Sequence, residues 1–215
     1  MTNVERFNNQ TAGEEIANAV THGLGALLAL AGTVILLVNA YFYGDTIDIV
    51  SSAIYGGGLF ILYAMSASYH SVTNYKAKRV LQVFDHCSIF LLILGSYAPL
   101  CLSLLGGSLG WTIFSINLAC GVLGLTVNII DVRKFHKLSL VMYLVMGWSI
   151  LFAVKPIFLQ VGVSGFLLLL GGGLAYSIGV LFYKSEAKYM HPIWHLFVLA
   201  GSGLHYFFIL FYVIL

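Results

Sequence analysis

The uncharged stretch 86–130 determines what kind of fold this chain can adopt. It reads HCSIFLLILGSYAPLCLSLLGGSLGWTIFSINLACGVLGLTVNII and contains no Asp, Glu, Lys or Arg across 45 residues. A helix that crosses the bilayer needs about 17 to 25 largely apolar residues. The stretch is therefore long enough for two crossings, and the Gly-rich run LGGSLG at 105–110 predicts the turn that separates them.

Five further stretches are free of the same four residue types: 16–44, 49–75, 138–154, 156–183 and 189–215. Together with the divided central stretch they predict an all-α membrane protein with seven transmembrane helices. After a tail of residues 1–15, the predicted single domain 16–215 has approximate helices at 17–43, 49–71, 81–104, 109–130, 138–155, 163–183 and 191–214. The loops between these helices are short, so any functional site must lie among the helices.

The overall composition excludes several classes of protein. Apolar residues make up 60% of the 215 residues and charged residues only 8%, with a mean hydropathy of +0.96. A soluble domain carries about a quarter charged residues, so this chain lacks the polar surface that a soluble or disordered protein needs. The formal net charge is only +2 and the basic residues form short clusters, which excludes a nucleic-acid-binding protein.

Basic residues are distributed unevenly between the two ends of the predicted helices. Nine of the ten occupy the amino-terminal tail or the loops after helices 2, 4 and 6: Arg6, Lys76, Lys78, Arg79, Arg133, Lys134, Lys137, Lys184 and Lys188. Lys155 alone belongs to the opposite side. Because cytoplasmic loops carry an excess of Lys and Arg, we expect a cytoplasmic amino terminus and an external carboxy terminus.

Four ionisable residues are predicted to share one depth in the membrane. His70, Asp85, His191 and His195 each lie three to seven residues from a charged loop residue. At about 1.5 Å per helical residue, they lie roughly 5 to 10 Å inside the cytoplasmic boundary. His191 and His195 are spaced i, i+4 and so share a helix face. Ionisable groups at membrane depth are costly, which makes these residues candidates for a functional site.

Three imidazoles and a carboxylate match the ligands of zinc, and three His with an open fourth position are typical of catalytic zinc. Zinc lowers the pKa of a bound water toward about 7. Asp85 is placed to orient that water and take its proton, or to act as a further ligand. Ser66, one turn deeper than His70, is placed to hydrogen-bond the water or a developing oxyanion. The predicted site therefore has His70, His191 and His195 as metal ligands, and Asp85 and Ser66 as catalytic residues.

Other interpretations of the same residues remain open at this point. A His-x-x-x-His pair also arises by chance, and a membrane His often hydrogen-bonds across helices. Equal depth does not show that helices 2, 3 and 7 are neighbours. Pro192 favours the first helical position, which leaves open whether His191 is the residue that caps helix 7.

The roles of three more histidines follow from their positions. His22 is predicted at the depth of the metal, with Asn18 on the same helix face, either as an outer partner of the site or as a packing residue. His86 projects about 100° away from Asp85, so the two are not expected to reach one ion. His205 is roughly 15 Å deeper than His195, and a hydrogen bond between helices is expected for it.

Five short motifs resemble those of the hemolysin III family, the bacterial branch of the progestin and adiponectin receptor family. They are SASYH at 66–70, FDH at 84–86, HPIWH at 191–195, EEIAN at 14–18 and THG at 21–23. The resemblance covers nearly the whole chain and implies a seven-helix protein of the bacterial cytoplasmic membrane. It also implies zinc held near the cytoplasmic leaflet by His70, His191 and His195, with Asp85 holding a water.

The resemblance also bears on activity. The wider superfamily includes alkaline ceramidases, which implies hydrolysis of a lipid amide, with a membrane lipid as substrate or ligand. Some bacterial members look like regulators of membrane lipid homeostasis. The chain lacks the long cytoplasmic extension of the receptors, so hormone signalling is not implied. Two alternatives to a hydrolase are a membrane sensor or regulator with structural zinc, and a hemolysin-like pore former, which would need a soluble state that so apolar a chain does not offer.

Overall fold

A computed structural model describes residues 10–215, and those residues contain helices and no strands. Seven α-helices follow one another: α1 Ala12–Tyr43, α2 Thr46–Ser71, α3 Tyr75–Ala98, α4 Gly107–Asp131, α5 His136–Trp148, α6 Val154–Tyr183 and α7 Met190–Ile209. Three shorter helical segments extend them: π-helical Pro99–Leu105 after α3, 3-10 helical Ser149–Ala153 between α5 and α6, and π-helical Leu210–Ile214 after α7. Arg6 of the predicted tail lies outside the described residues.

Polar side chains define where the first three helices begin. Thr11 caps α1 and forms a reciprocal capping box with Glu14. Asp45 caps α2 in the same way, and Asn74 accepts from the first backbone N–H groups of α3. These caps satisfy donors that have no partner inside the helix. Thus α1 begins within the predicted tail, and α3 begins at Tyr75, earlier than the predicted residue 81.

Six stretches of the described residues are long and apolar enough to cross a membrane: Ala12–Tyr43, Thr46–Ser71, Tyr75–Leu105, Gly107–Asp131, His136–Tyr183 and Met190–Ile214. Many of their large apolar side chains, including Leu28 and Leu159, are exposed, as expected for surfaces that face lipid. The chain is therefore an all-helical, multi-pass membrane protein.

The fifth stretch differs from the sequence expectation. A loop is predicted at 156–162 between helices 5 and 6, but the structure continues as helix from Val154 and departs from helical geometry only at Gly162, where φ is 64° and ψ is −167°. Pro156 does not prevent this, because it lies in the first turn of α6, where a missing N–H costs no internal hydrogen bond. Two features therefore divide this stretch: the 3-10 segment Ser149–Ala153 after α5, and the break at Gly162, one residue before the predicted start of helix 6 at residue 163.

The packing of α1 determines where the site forms. α1 packs against both α2 and α7, and α2 in turn packs against α3. Large polar side chains join α2 to α7 directly: the Tyr63 hydroxyl donates to Ser202 Oγ at 2.7 Å, and the Tyr55 hydroxyl donates to the Ser202 carbonyl at 3.3 Å. The end of α2 and the start of α7 therefore meet beside the start of α1.

Candidate metal centre

Three histidines converge where α2 ends and α7 begins. His70, His191 and His195 each offer a ligand atom, and these atoms all lie within 4.8 Å of one another. The ring centroid of His70 lies 5.1 Å from that of His191 and 5.2 Å from that of His195. The centroids of the two α7 rings, His191 and His195, are 4.8 Å apart. This group, called the His cluster below, can hold a metal ion.

The Nδ1 atoms of two of these rings are already engaged by α1. His70 Nδ1 lies 2.7 Å from Glu15 Oε2, and because a carboxylate only accepts, the imidazole is the donor. His195 Nδ1 lies 3.2 Å from Thr21 Oγ1, whose own proton is directed to the Ala17 and Asn18 carbonyls. Nδ1 of a neutral His70 or His195 therefore carries the proton, which leaves the lone pair on Nε2.

The Nε2 atoms provide the test of whether a metal fits. All three Nε2 atoms of the His cluster are buried and have no hydrogen-bond partner among residues 10–215. A buried polar atom without a partner costs about 1 to 3 kcal/mol, so three together require an explanation. A metal ion would give all three atoms a partner at once. The residues present therefore fit a metal, and the outer hydrogen bonds resemble those that orient metal-bound imidazoles.

One face of α1 supports the cluster. Glu15, Asn18 and His22 are spaced i, i+3 and i+7 and so lie on the same side of the helix. Asn18 Nδ2 approaches His70 Nδ1 at 3.4 Å, and the His22 ring stacks on the His195 ring at 3.5 Å with an interplanar angle of 7°. Both predicted outer partners, Asn18 and His22, therefore contact residues of the His cluster.

Two acidic residues connect α1 to its surroundings. Glu15 Oε1 lies 2.8 Å from Lys78 Nζ, so one carboxylate holds both His70 and a lysine of α3. Glu14 Oε1 accepts from the Tyr189 backbone N–H at 2.8 Å. Tyr189 has φ 62°, a left-handed conformation that costs a non-glycine residue roughly 1 to 2 kcal/mol. The Glu14 contact helps to hold this turn and thereby the start of α7.

The two predicted catalytic residues are buried but lie outside the His cluster. Ser66 is one turn before His70 on α2 and is buried. Asp85 of α3 is buried as well, and its Oδ2 atom lies 3.7 Å from His86 Nδ1 of the same helix. The Tyr69 ring lies 4.7 Å from the His70 ring. The roles of Ser66 and Asp85 stay predictions.

Three other sequence expectations have a definite outcome. His191 does not cap α7, because the helix begins at Met190 and Tyr189 is the capping residue. His205 Nε2 hydrogen-bonds the Leu169 carbonyl of α6 at 3.1 Å, as its depth predicts. His86 Nδ1 hydrogen-bonds the Gln82 carbonyl of its own helix at 2.9 Å and belongs to no metal-ligand group.

Sequence reasoning missed the partners of the His cluster. Glu15 and Thr21 entered only as parts of motifs, and Lys78 only as one of the basic residues that predict the orientation. The available signal was the spacing of Glu15, Asn18 and His22, which places polar side chains on one face of an otherwise apolar helix.

The family model described as "Haemolysin-III related" matches residues 10–206. Hemolysin-3 of Bacillus cereus is 42% identical over 206 residues, covering 95% of this chain and 94% of the relative. The Hemolysin-3 homolog of Bacillus subtilis (strain 168) is 43% identical over 203 residues, covering 94% and 95%.

A more distant relative comes from animals. The human Monocyte to macrophage differentiation factor is 31% identical over 210 residues, covering 92% of this chain and 83% of the relative. The family model spans most of the chain, including every helix that contributes to the His cluster. The chain is therefore a member of the haemolysin-III-related family.

Proposed function

We propose that this protein is a zinc-dependent membrane hydrolase that cleaves an amide or ester bond of a membrane lipid. The observation that carries the proposal is the set of three buried, unpartnered Nε2 atoms in the His cluster. Three neutral imidazoles are a ligand set typical of catalytic zinc. The proposed ligands are His70, His191 and His195.

The proposed topology has seven crossings, a cytoplasmic amino terminus and an external carboxy terminus, in a bacterial cytoplasmic membrane. The stretch His136–Tyr183 supports the seventh crossing, since its 48 residues would extend about 72 Å as one helix, more than twice the ~30 Å hydrocarbon thickness. The clustering of basic residues in alternate loops supports the orientation.

In the proposed hydrolysis, the metal ligands, Asp85, Ser66 and the α1 side chains each have a separate role. His70, His191 and His195 would hold the zinc ion, which when bound would supply a Lewis acid that activates water near neutral pH. Asp85 would accept the proton released from the attacking water and deliver it to the leaving group. Ser66 would donate a hydrogen bond to the oxyanion that develops on the lipid carbonyl. Glu15 and Thr21 would keep the His70 and His195 rings oriented.

The test is fatty-acid release by the purified protein in lipid nanodiscs that contain ceramide or phospholipid, under zinc-replete conditions. Asp85→Asn should lower the rate by about 100-fold or more, because a positioned acid–base group contributes 10²–10⁴-fold. Asp48→Asn is the matched control, since Asp48 lies in the first turn of α2, at the opposite end from His70, and should leave the rate within about twofold. A folded, zinc-loaded protein that leaves lipid amides and esters intact contradicts catalysis.

A second candidate is a membrane sensor or regulator in which zinc is structural. The observation that favours it is that the His cluster joins α2 to α7 while Asp85 lies outside the ligand group. This function predicts a large fall in melting temperature when a chelator removes the metal, together with no turnover of any lipid.

The names of the Bacillus relatives, both called Hemolysin-3 or its homolog, raise a third candidate, a lytic pore. Release of a trapped dye from lipid vesicles by added protein would support a pore, and intact vesicles at the same protein density would exclude it.

A further inference from the structure

A shallow pocket opens beside the start of α3, between the end of α2 and the turn after α4. It is lined by Tyr69, Tyr75, Lys78, Arg79, Gln82 and Arg133. Three of these six residues are cationic: Lys78 and Arg79 lie near the start of α3, and Arg133 lies in the turn after α4. The cavity volume is about 10 Å³, which is about the space that one water-sized group occupies.

Two of the three cations keep their charge unpaired. Lys78 is neutralised, because its Nζ contacts Glu15 at 2.8 Å and donates to the Tyr69 and Val72 carbonyls. Among residues 10–215, no carboxylate lies within 4.0 Å of the Arg79 or Arg133 guanidinium groups. The pocket therefore has an uncompensated positive charge supplied by two arginines.

Gln82 fixes one of these arginines in place. Arg133 Nε donates to Gln82 Oε1 at 3.2 Å, and since arginine has no acceptor, this contact also establishes which Gln82 atom is the oxygen. Gln82 is only 2% exposed, and its Nε2 has no hydrogen-bond partner. The pocket therefore combines an oriented guanidinium fork with an unused amide donor, which is the donor set that a phosphate accepts.

We propose that this pocket binds the phosphate group of an anionic membrane lipid. The volume admits one phosphate oxygen and leaves the remainder of the headgroup at the mouth, where Arg79 is exposed. Apolar surface for acyl chains is adjacent, because Ile129 and Ile130 at the end of α4 are 68% and 69% exposed. Basic pockets between transmembrane helices are a recurrent way of binding lipid headgroups.

This proposal goes beyond the proposed hydrolase, because phosphate binding needs neither a metal nor turnover. The two sites are nevertheless close, since the Tyr69 ring that lines the pocket lies 4.7 Å from the His70 ring. Lys78 and Glu15 form a second link between the pocket and the His cluster.

The experiment measures lipid binding by native mass spectrometry of the full chain released from nanodiscs of phosphatidylcholine with 10 to 20 mol% phosphatidylglycerol. Arg133→Gln and Arg79→Gln are compared with Lys134→Gln, which removes the same charge from the neighbouring residue outside the pocket. We expect the wild type to retain phosphatidylglycerol several-fold over its share of the bilayer. Arg133→Gln should lower this enrichment at least fivefold, and Lys134→Gln should leave it within twofold.

A second arm identifies the source of the phosphate. Inorganic phosphate is added at millimolar concentration to the protein in pure phosphatidylcholine, and the melting temperature is measured. No stabilisation, together with Arg133-dependent phosphatidylglycerol enrichment, supports a lipid. If inorganic phosphate stabilises the protein in an Arg133-dependent way and no lipid is enriched, the pocket binds free phosphate, and the proposal of a lipid ligand is wrong. Equal losses of enrichment in Arg133→Gln, Arg79→Gln and Lys134→Gln overturn the site itself, since they indicate a diffuse charge effect.

Discussion

The Glu15 carboxylate lies between His70 and Lys78, with Oε2 2.7 Å from His70 Nδ1 and Oε1 2.8 Å from Lys78 Nζ. Lys78 fixes the position of the Glu15 carboxylate, and this carboxylate in turn orients the His70 imidazole. This arrangement fixes the tautomer of His70, because Nδ1 carries the proton and Nε2 keeps the lone pair. Groups that orient a metal ligand in this way affect metal affinity strongly although they never contact the ion.

Glu15→Gln is expected to weaken zinc binding by about 10- to 100-fold, because the neutral amide neither polarises nor orients His70 as the carboxylate does. The measurement is competition for zinc with a chelator of known affinity. Glu186→Gln, which removes a carboxylate from the exposed loop after α6, is the control and should leave the affinity unchanged. An unchanged affinity in Glu15→Gln would show that the His70 orientation does not depend on this contact.

Thr21→Val is expected to lower zinc affinity as well, since it removes the acceptor for His195 Nδ1 while keeping the shape of the side chain. Thr33→Val is a matched control on the same helix, because the Thr33 hydroxyl bonds only the Ala29 carbonyl. Thr21→Ser should retain most of the affinity. If Thr21→Val and Thr33→Val have the same effect in the chelator competition, zinc binding does not depend on the contact between Thr21 and His195.

Gly58→Ala is expected to destabilise the fold, whereas Gly57→Ala is not. A Cβ at Gly58 would lie 2.8 Å from the Leu91 carbonyl oxygen of α3, and backbone cannot move aside cheaply. A Cβ at Gly57 would meet no atom within 4 Å. Overpacking of this kind costs about 1 to 3 kcal/mol. Thermal unfolding of the two neighbouring variants in the same detergent measures the difference, and equal melting temperatures would refute the close contact of α2 with α3.

Tyr97→Phe is expected to destabilise the region between α5 and α6. The Tyr97 hydroxyl donates to the Gly147 carbonyl at 2.8 Å and accepts from the Ile150 N–H at 3.0 Å, where regular α-helix is interrupted. Losing these contacts should cost about 1 to 3 kcal/mol. Tyr41→Phe, at an exposed tyrosine, should leave the melting temperature unchanged. A Tyr97→Phe variant as stable as Tyr41→Phe would show that the interruption does not depend on this hydroxyl.

The sequence predicts the helices and the three histidines well because both are local patterns. Charge-free length identifies the membrane stretches, and the i, i+4 spacing of His191 and His195 places both rings on one face. Pro156 and Gly162 look like the ends of a loop, yet proline is compatible with a first helical turn, so the segment between them is helical.

The partners of the His cluster are harder to predict, because they depend on which helices are neighbours. Glu15 and Thr21 reach His70 and His195 only because α1 packs against both α2 and α7. The sequence indicates how deep a residue lies along its helix. It does not indicate how that helix is rotated about its axis or which helices are its neighbours. Lys78 shows the same limit, since the sequence identifies it only as one of several basic residues between helices 2 and 3, whereas in the structure it contacts Glu15.

The central claim is that α2 and α7 share one zinc ion. The most direct test is the metal content of the purified, chelator-washed protein by mass spectrometry, for the wild type, His70→Ala and His195→Ala, with His205→Ala as the control that removes a half-buried histidine from outside the cluster. We expect about one zinc per chain in the wild type and in His205→Ala, and loss of the zinc in both His70→Ala and His195→Ala. A folded wild type without zinc, or cluster variants that retain it, would contradict the account.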